Sequence, residues 1–291
     1  IEKIGPKEAG LQYETALSNS YRNKEGIYYT PEDIVHKMLN GIAVTPDTTF
    51  LDPCCGRGNF IIGALDKGLK PEYVYGFDID PNAVKITVER IFNKTGYRSQ
   101  NIKVLDFLDW GYAQNKHFDF IFTNPPWGKK LKRIEKLKLA KRYNAGKSYD
   151  TSSLFLLASL SLLKDSGVLG FLVQEAMFNI SSFKDVRQRL LKDHVERLID
   201  FDKPFKGLVS KAQAVIVNRQ RSKGNVRCET KGRHYTRPLT SFARLPNNVF
   251  NFWVDPKEAQ VIDKMFNLPH KTLKGHAKWA LGIVTGNNKD Y

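Results

Sequence analysis

The sequence predicts an α/β fold: a doubly wound, mostly parallel seven-stranded sheet with helices on both faces. Three observations predict it. Strand-like and helix-like segments alternate along most of the chain. Two of the strands, FDFIFT (Phe118–Thr123) and VLGFLV (Val168–Val173), are almost wholly apolar, as strands covered on both faces must be. Acidic residues recur where successive strands end. With 291 residues, 41% of them hydrophobic, the chain can fill one such core.

Residues 1–25 read as an N-terminal helical arm. A helix opens at Thr30-Pro31, where Thr caps, Pro fits the first turn and Glu32 and Asp33 suit the positive end; Ile34, Met38, Leu39 and Ile42 form its apolar face. Thr48–Asp52 reads as a strand, Phe60–Lys67 as a helix, Tyr73–Ile79 as a strand and Pro81–Asn93 as a helix opening on proline. Ile102–Asp106 is a short strand, followed by Phe118–Thr123. Ser153–Lys164 is a strongly apolar helix, and Ser181–Lys192 a helix with a Ser cap. Val195–Phe201 and Ala212–Val217 complete the set, giving one domain over residues 26–220. After Arg219 the texture turns basic and turn-rich, with an aromatic patch (Phe250, Phe252, Trp253) and a helix, Pro256–Phe266. Residues 221–291 thus read as a connector to a further domain, and the initial Ile1 and closing GIVTGNNKDY fit a piece of a longer polypeptide.

The net charge of +16 points to a polyanionic partner. The surplus is clustered: Lys129, Lys130, Lys132, Arg133, Lys136, Lys138, Lys141, Arg142 and Lys147 face a single acid, Glu135. No run approaches the roughly 18 apolar residues of a membrane helix, and no leader peptide is legible. Cys54, Cys55 and Cys228 have neither disulfide-framework nor metal-ligand spacing, so a cytoplasmic setting, no membrane and no metal are expected.

The chemistry concentrates at strand ends. In LDPCCGRGNF (Leu51–Phe60), Gly56 and Gly58 allow a tight turn and close approach to a ligand, and Asp52 offers an acceptor for an ammonium. A tight turn without a ligand has the same glycines. In GFDIDP, Asp78 lies where a dinucleotide-type site places an acid on ribose hydroxyls, and Ile79 where it covers a base; a solvated acid at a strand end is the plain alternative. In VLDFLDW, Asp106 supplies an acceptor and Phe107 an apolar wall. The fourth strand ends in Asn124-Pro125-Pro126-Trp127. Two prolines make this backbone rigid and free of amide donors. The Asn124 side-chain oxygen and the Pro125 carbonyl can therefore hold the two hydrogens of an exocyclic amine, while Trp127 offers a stacking surface for an extruded base.

In the order YYTP, DPCCGRG, FDID, LDF and NPPW, the chain resembles the gamma-type N6-adenine DNA methyltransferases of bacterial restriction-modification systems. These are type II or IIG-like enzymes, related to type I modification subunits. The resemblance implies the Rossmann-like S-adenosylmethionine-dependent methyltransferase fold, with S-adenosylhomocysteine as product. It assigns Tyr29, Thr30 and Pro31 to the methionine part of the cofactor, and Asp52, Pro53, Cys54, Gly56 and Gly58 to the loop around it. Asp78 and Ile79 match the ribose and adenine contacts, Asp106 and Phe107 the adenine pocket, and Phe155 an aromatic on the adenine, or ordinary helix core. Asn124 matches both a cofactor contact and, with Pro125, Pro126 and Trp127, the catalytic tetrapeptide. Phe205 matches a second aromatic that sandwiches the flipped base, or a packing plug. Lys129, Lys130, Lys132 and Arg133 are expected on DNA phosphates. Double-stranded DNA is the expected partner, with a specificity or restriction subunit or domain beside it.

Pro53-Cys54 is not the nucleophile of a cytosine-C5 enzyme, because it lies inside the cofactor loop. N4-cytosine methylation remains an alternative. RNA-base or protein-glutamine methylation shares NPP-aromatic, but Thr30-Pro31 ahead of the glycine loop argues against both. A catalytically silent DNA-binding module is the non-enzymatic alternative.

Overall fold

The computed structural model describes residues 30–45, 47–128, 131–205, 210–271, 273 and 275–277. The expected arm, Tyr29, Lys129, Lys130 and the closing GIVTGNNKDY lie outside the described residues. Nine strands form one sheet: β1 (Phe50–Asp52), β2 (Val74–Asp78), β3 (Ile102–Val104), β4 (Phe118–Thr123), β5 (Leu163–Gln174), β6 (Val195–Asp200), β7 (Ala212–Asn218), β8 (Asn225–Thr230) and β9 (Arg233–Pro238). Their order is β3-β2-β1-β4-β5-β7-β6-β8-β9. The first five strands pair in parallel; β7 runs antiparallel between β5 and β6. From β1 the chain grows outward to β3 and then crosses back to β4. That reversal opens a crevice at the carboxyl ends of β1 and β4, where open α/β sheets bind ligands.

Strand alternation explains the two layers of helix. Phe50, Phe120 and Phe122 pack with Ile34, Ile61 and Val84, which lie on α1 (Glu32–Met38), α2 (Asn59–Asp66) and α3 (Pro81–Thr95). Their neighbours Leu51 and Ile121 face the other side. There they join side chains of α4 (Phe107–Tyr112), α5 (Arg133–Arg142), α6 (Thr151–Ser161), α7 (Ala176–Asn179) and α8 (Lys184–Leu191).

The sheet has nine strands where the sequence predicts seven, because the basic stretch after Arg219 pairs rather than links. β8 lies parallel to β6 and antiparallel to β9. Its alternation is thin: Val226 and Cys228 are buried between exposed Asn225 and Arg227. Beyond it come α9 (Thr240–Ala243) and α10 (Pro256–Asn267). Phe242, Phe250 and Phe252 belong to the main core and gather around Phe178 on α7. Two buried guanidinium groups fasten this region. Arg187 donates to the carbonyls of Met177 (2.6 Å), Ile180 (2.8 Å) and Asn247 (3.0 Å). Arg237 donates to the carbonyls of Asn251 (2.8 Å) and Val254 (3.2 Å). The boundary expected at residue 220 therefore does not divide the sheet.

Smaller differences have local causes. α1 starts at Glu32 with Pro31 in the capping position, so Thr30 is not its cap. α6 starts two residues early because Asp150 caps it. A 3-10 turn, Ser181–Phe183, takes the place of a Ser cap before α8. Among the described residues no helix is long and apolar enough to cross a membrane.

Candidate active site

β1 ends in Asp52, which is 1% exposed. Its Oδ1 accepts the Thr123 hydroxyl at 2.7 Å and the Cys54 amide at 3.2 Å. Burial pushes its pKa up to about 7, with the Thr123 bond working against the shift. The chain then turns through Gly56 (φ 50°) and Gly58 (φ 77°), both left-handed. Gly58 leads directly into α2, and a Cβ there would stand 2.7 Å from Thr87 Cγ2.

β2 ends in Asp78. Its Oδ2 accepts the Gly56 amide at 2.8 Å and its Oδ1 the Asp80 amide at 3.0 Å. Burial raises its pKa while those amide bonds oppose the rise. Beyond β3, Asp106 caps α4 by accepting the Leu108 amide at 2.8 Å. It therefore sits in a turn, not at the end of the strand that the sequence predicts through residue 106. Phe107 meets Phe155 of α6 with ring centroids 5.4 Å apart.

These strand ends enclose a cavity of about 310 Å³. Thr30, Asp52, Pro53, Cys54, Gly56, Asp78, Ile79, Asp106, Phe107, Asn124, Pro126 and Phe155 all line it. Pro31, Gly58, Pro125, Trp127 and Phe205 stand outside its lining. Gly58 belongs to the turn that leads into α2. Lys132 and Arg133 are exposed at the start of α5, close to Leu131 on the cavity wall.

The structure adds lining residues that the motifs do not mark, among them Cys55, Arg57, Asn59, Phe60, Leu131 and Thr151. Asn59 has a legible reason. Its Nδ2 donates to the Thr30 carbonyl at 2.7 Å and its Oδ1 accepts Arg90 Nη1 at 2.6 Å, so it ties the start of α1 to the glycine loop. Only its place beside the loop signals this in the sequence. Leu131 reaches the wall from just before α5 and Thr151 from the start of α6, so no local pattern marks them.

Trp127 and Phe205 lie together. They are 3% and 8% exposed and touch edge to face, with centroids 5.3 Å apart and planes at 87°. Two rings that clasp a flat base lie parallel and about 7 Å apart, two van der Waals contacts of about 3.5 Å. In this conformation they pack on each other, and no base-wide gap separates them.

An adenosine-bearing sulfonium with an amino-acid tail needs apolar walls, an acid near its ribose and an acid near its cationic part. Phe107, Phe155 and Ile79 supply the first, Asp78 the second and Asp52 the third, so the residues fit S-adenosylmethionine.

The sheet, with β7 reversed between β5 and β6, and a cavity at the switch point together define a class I S-adenosylmethionine-dependent methyltransferase fold. A class I methyltransferase of Listeria monocytogenes shares it with a TM-score of 0.53 at 19% identity, over 75% of this chain and 69% of that one. A type I restriction-modification methyltransferase subunit from Streptococcus thermophilus superposes with a TM-score of 0.61 at 18% identity, over 91% of this chain and 58% of that one. The model of the N-6 DNA methylase family matches residues 8–234, and the chain belongs to that family of DNA methyltransferases. It is 43% identical over 299 residues to the type II methyltransferase M.VspI of Vibrio sp. (strain 343), an alignment covering 99% of this chain and 72% of the relative.

Proposed function

We propose that the protein transfers a methyl group from S-adenosylmethionine to N6 of an adenine flipped out of double-stranded DNA, as the modification activity of a restriction-modification system. The observation that carries this reading is the cavity on which Asp52, Gly56, Asp78, Phe107, Phe155 and Asn124 converge. Membership of the N-6 DNA methylase family supports the base and the atom.

The cofactor supplies an electrophilic methyl on a sulfonium. This chain's residues do the rest. Thr30, Asp52, Pro53 and Cys54 would hold the cofactor's amino-acid end, Asp78 its ribose hydroxyls, and Ile79, Asp106, Phe107 and Phe155 its adenine. The resemblance assigns Tyr29 and Pro31 to the same end. Asn124 and the Pro125 carbonyl hold the two amine hydrogens of the target, drawing the nitrogen out of conjugation so that its lone pair points at the methyl. Trp127 gives the base a face, and Phe205 a second one once the pair has parted. Lys129, Lys130, Lys132 and Arg133 grip phosphates. Residues 221–291 lead towards sequence recognition or a partner subunit, and the reaction takes place in the cytoplasm, where bacterial DNA is reached.

Methyl transfer from radiolabelled S-adenosylmethionine to duplex DNA, structured RNA and protein tests the substrate class. Label in DNA alone is expected; label confined to RNA or protein overturns the reading.

A further inference from the structure

Directly after the cavity wall, α5 presents an apolar face to solvent. Ile134 is 83% exposed and Leu137 is 52% exposed, one helical step apart on the same side. The opposite side carries buried Leu139 and Ala140, which seat the helix on the core, while Ile134 and Leu137 belong to neither buried cluster. Arg142 fastens its end, pairing with Asp109 at 2.7 Å. Ile134 follows Leu131 by three residues, which places it within about 10 Å of the cavity lining.

The surroundings say what covers this face. Arg133, Lys138 and Lys141 share the helix with it, Lys132 precedes them at the helix start, Glu135 is the one acid between, and among the described residues none of these four cations has an ion pair. A protein-docking helix does not ordinarily set its apolar contact among cations that outnumber acids this far, Glu135 being the one acid on the helix. A surface meeting a polyanion does. Apolar side chains among such cations suit one feature of DNA: the opened base stack left behind when a base leaves it.

We propose that Ile134 and Leu137 form a wedge that enters the duplex beside the departing adenine and holds the gap open. The lysines and arginines on the same helix seat on the flanking phosphates. This rests on the DNA-methyltransferase reading above, and extends it from where the base goes to what takes its place. Because both side chains are exposed, replacing them with serine leaves the core untouched.

The test compares the full-length protein with its Ile134→Ser/Leu137→Ser variant on two duplexes carrying its mapped target site. In one the adenine is paired with thymine; in the other it faces an abasic position, which removes the pairing that opposes extrusion. The wedge predicts that the variant methylates the paired duplex about tenfold more slowly, yet returns to within about twofold of the parent protein on the abasic duplex. An equal loss on both duplexes, or no loss on either, overturns the wedge while leaving the methyltransferase reading intact. A parent protein that methylates neither duplex overturns that reading itself.

Discussion

The carboxylate of Asp78 accepts the Gly56 amide at 2.8 Å, so the end of the second strand holds the glycine loop of the first. One acid thereby shapes the loop and faces the cavity. Asp78→Ala removes both roles, and S-adenosylmethionine is expected to bind at least about tenfold more weakly by calorimetry. Asp78→Asn keeps an acceptor for Gly56 and falls between. Unchanged affinity in the alanine variant contradicts the assignment.

Asp52 predicts a pH dependence. Its folded pKa stands near 7, raised by burial from 3.8. Between about pH 4 and about pH 7 the unfolded chain releases a proton that the folded protein keeps, so stability falls as pH rises through that window. Asp52→Asn flattens this fall in denaturant titrations at pH 5 and pH 8. A sulfonium ligand favours the carboxylate, so cofactor affinity is expected to rise up to about tenfold from pH 6 to pH 8 in the parent and to stay flat in the variant. A pH-independent parent contradicts the role of Asp52.

Gly58→Ala tests the loop. A methyl group there meets Thr87 Cγ2 at 2.7 Å, at a φ of +77°. The left-handed backbone alone costs about 1–2 kcal/mol. A lower Tm is expected, and Thr87→Ala restores only part of it because the backbone strain remains.

Much of this was legible before the structure. The helix-and-strand alternation and FDFIFT placed β4 to the residue, since a strand buried on both faces is apolar throughout. The place of Asp52 and Asp78 on the cavity wall was legible because strand ends at a switch point border a crevice. The basic stretch beyond Arg219 concealed two strands, because edge pairing needs only Val226 and Cys228 inward and tolerates arginine elsewhere. Arg187 and Arg237 are buried against backbone carbonyls, a placement that no residue-type preference predicts. The edge-to-face packing of Trp127 on Phe205 depends on side-chain angles, and spacing carries none of that.

That packing gives a further expectation. If a base enters between the two rings, Trp127 fluorescence changes when target DNA binds, and the signal disappears in Trp127→Phe. Phe205→Ala retains cofactor affinity and loses turnover. Retained turnover means that Phe205 is a packing plug only.

Asn124 faces the cavity beside Pro126 and is assigned to the amine rather than to cofactor affinity. Asn124→Ala is expected to lower turnover about 100-fold or more with S-adenosylmethionine affinity within about threefold. Turnover within about tenfold of the parent contradicts that role.

The most direct measurement expresses the full-length gene in a host without DNA methylases, digests the genomic DNA to nucleosides and quantifies methylated bases by mass spectrometry. N6-methyladenine that vanishes with Asn124→Ala is the predicted result. N4-methylcytosine in its place, or no methylated base from a protein that binds S-adenosylmethionine, contradicts it.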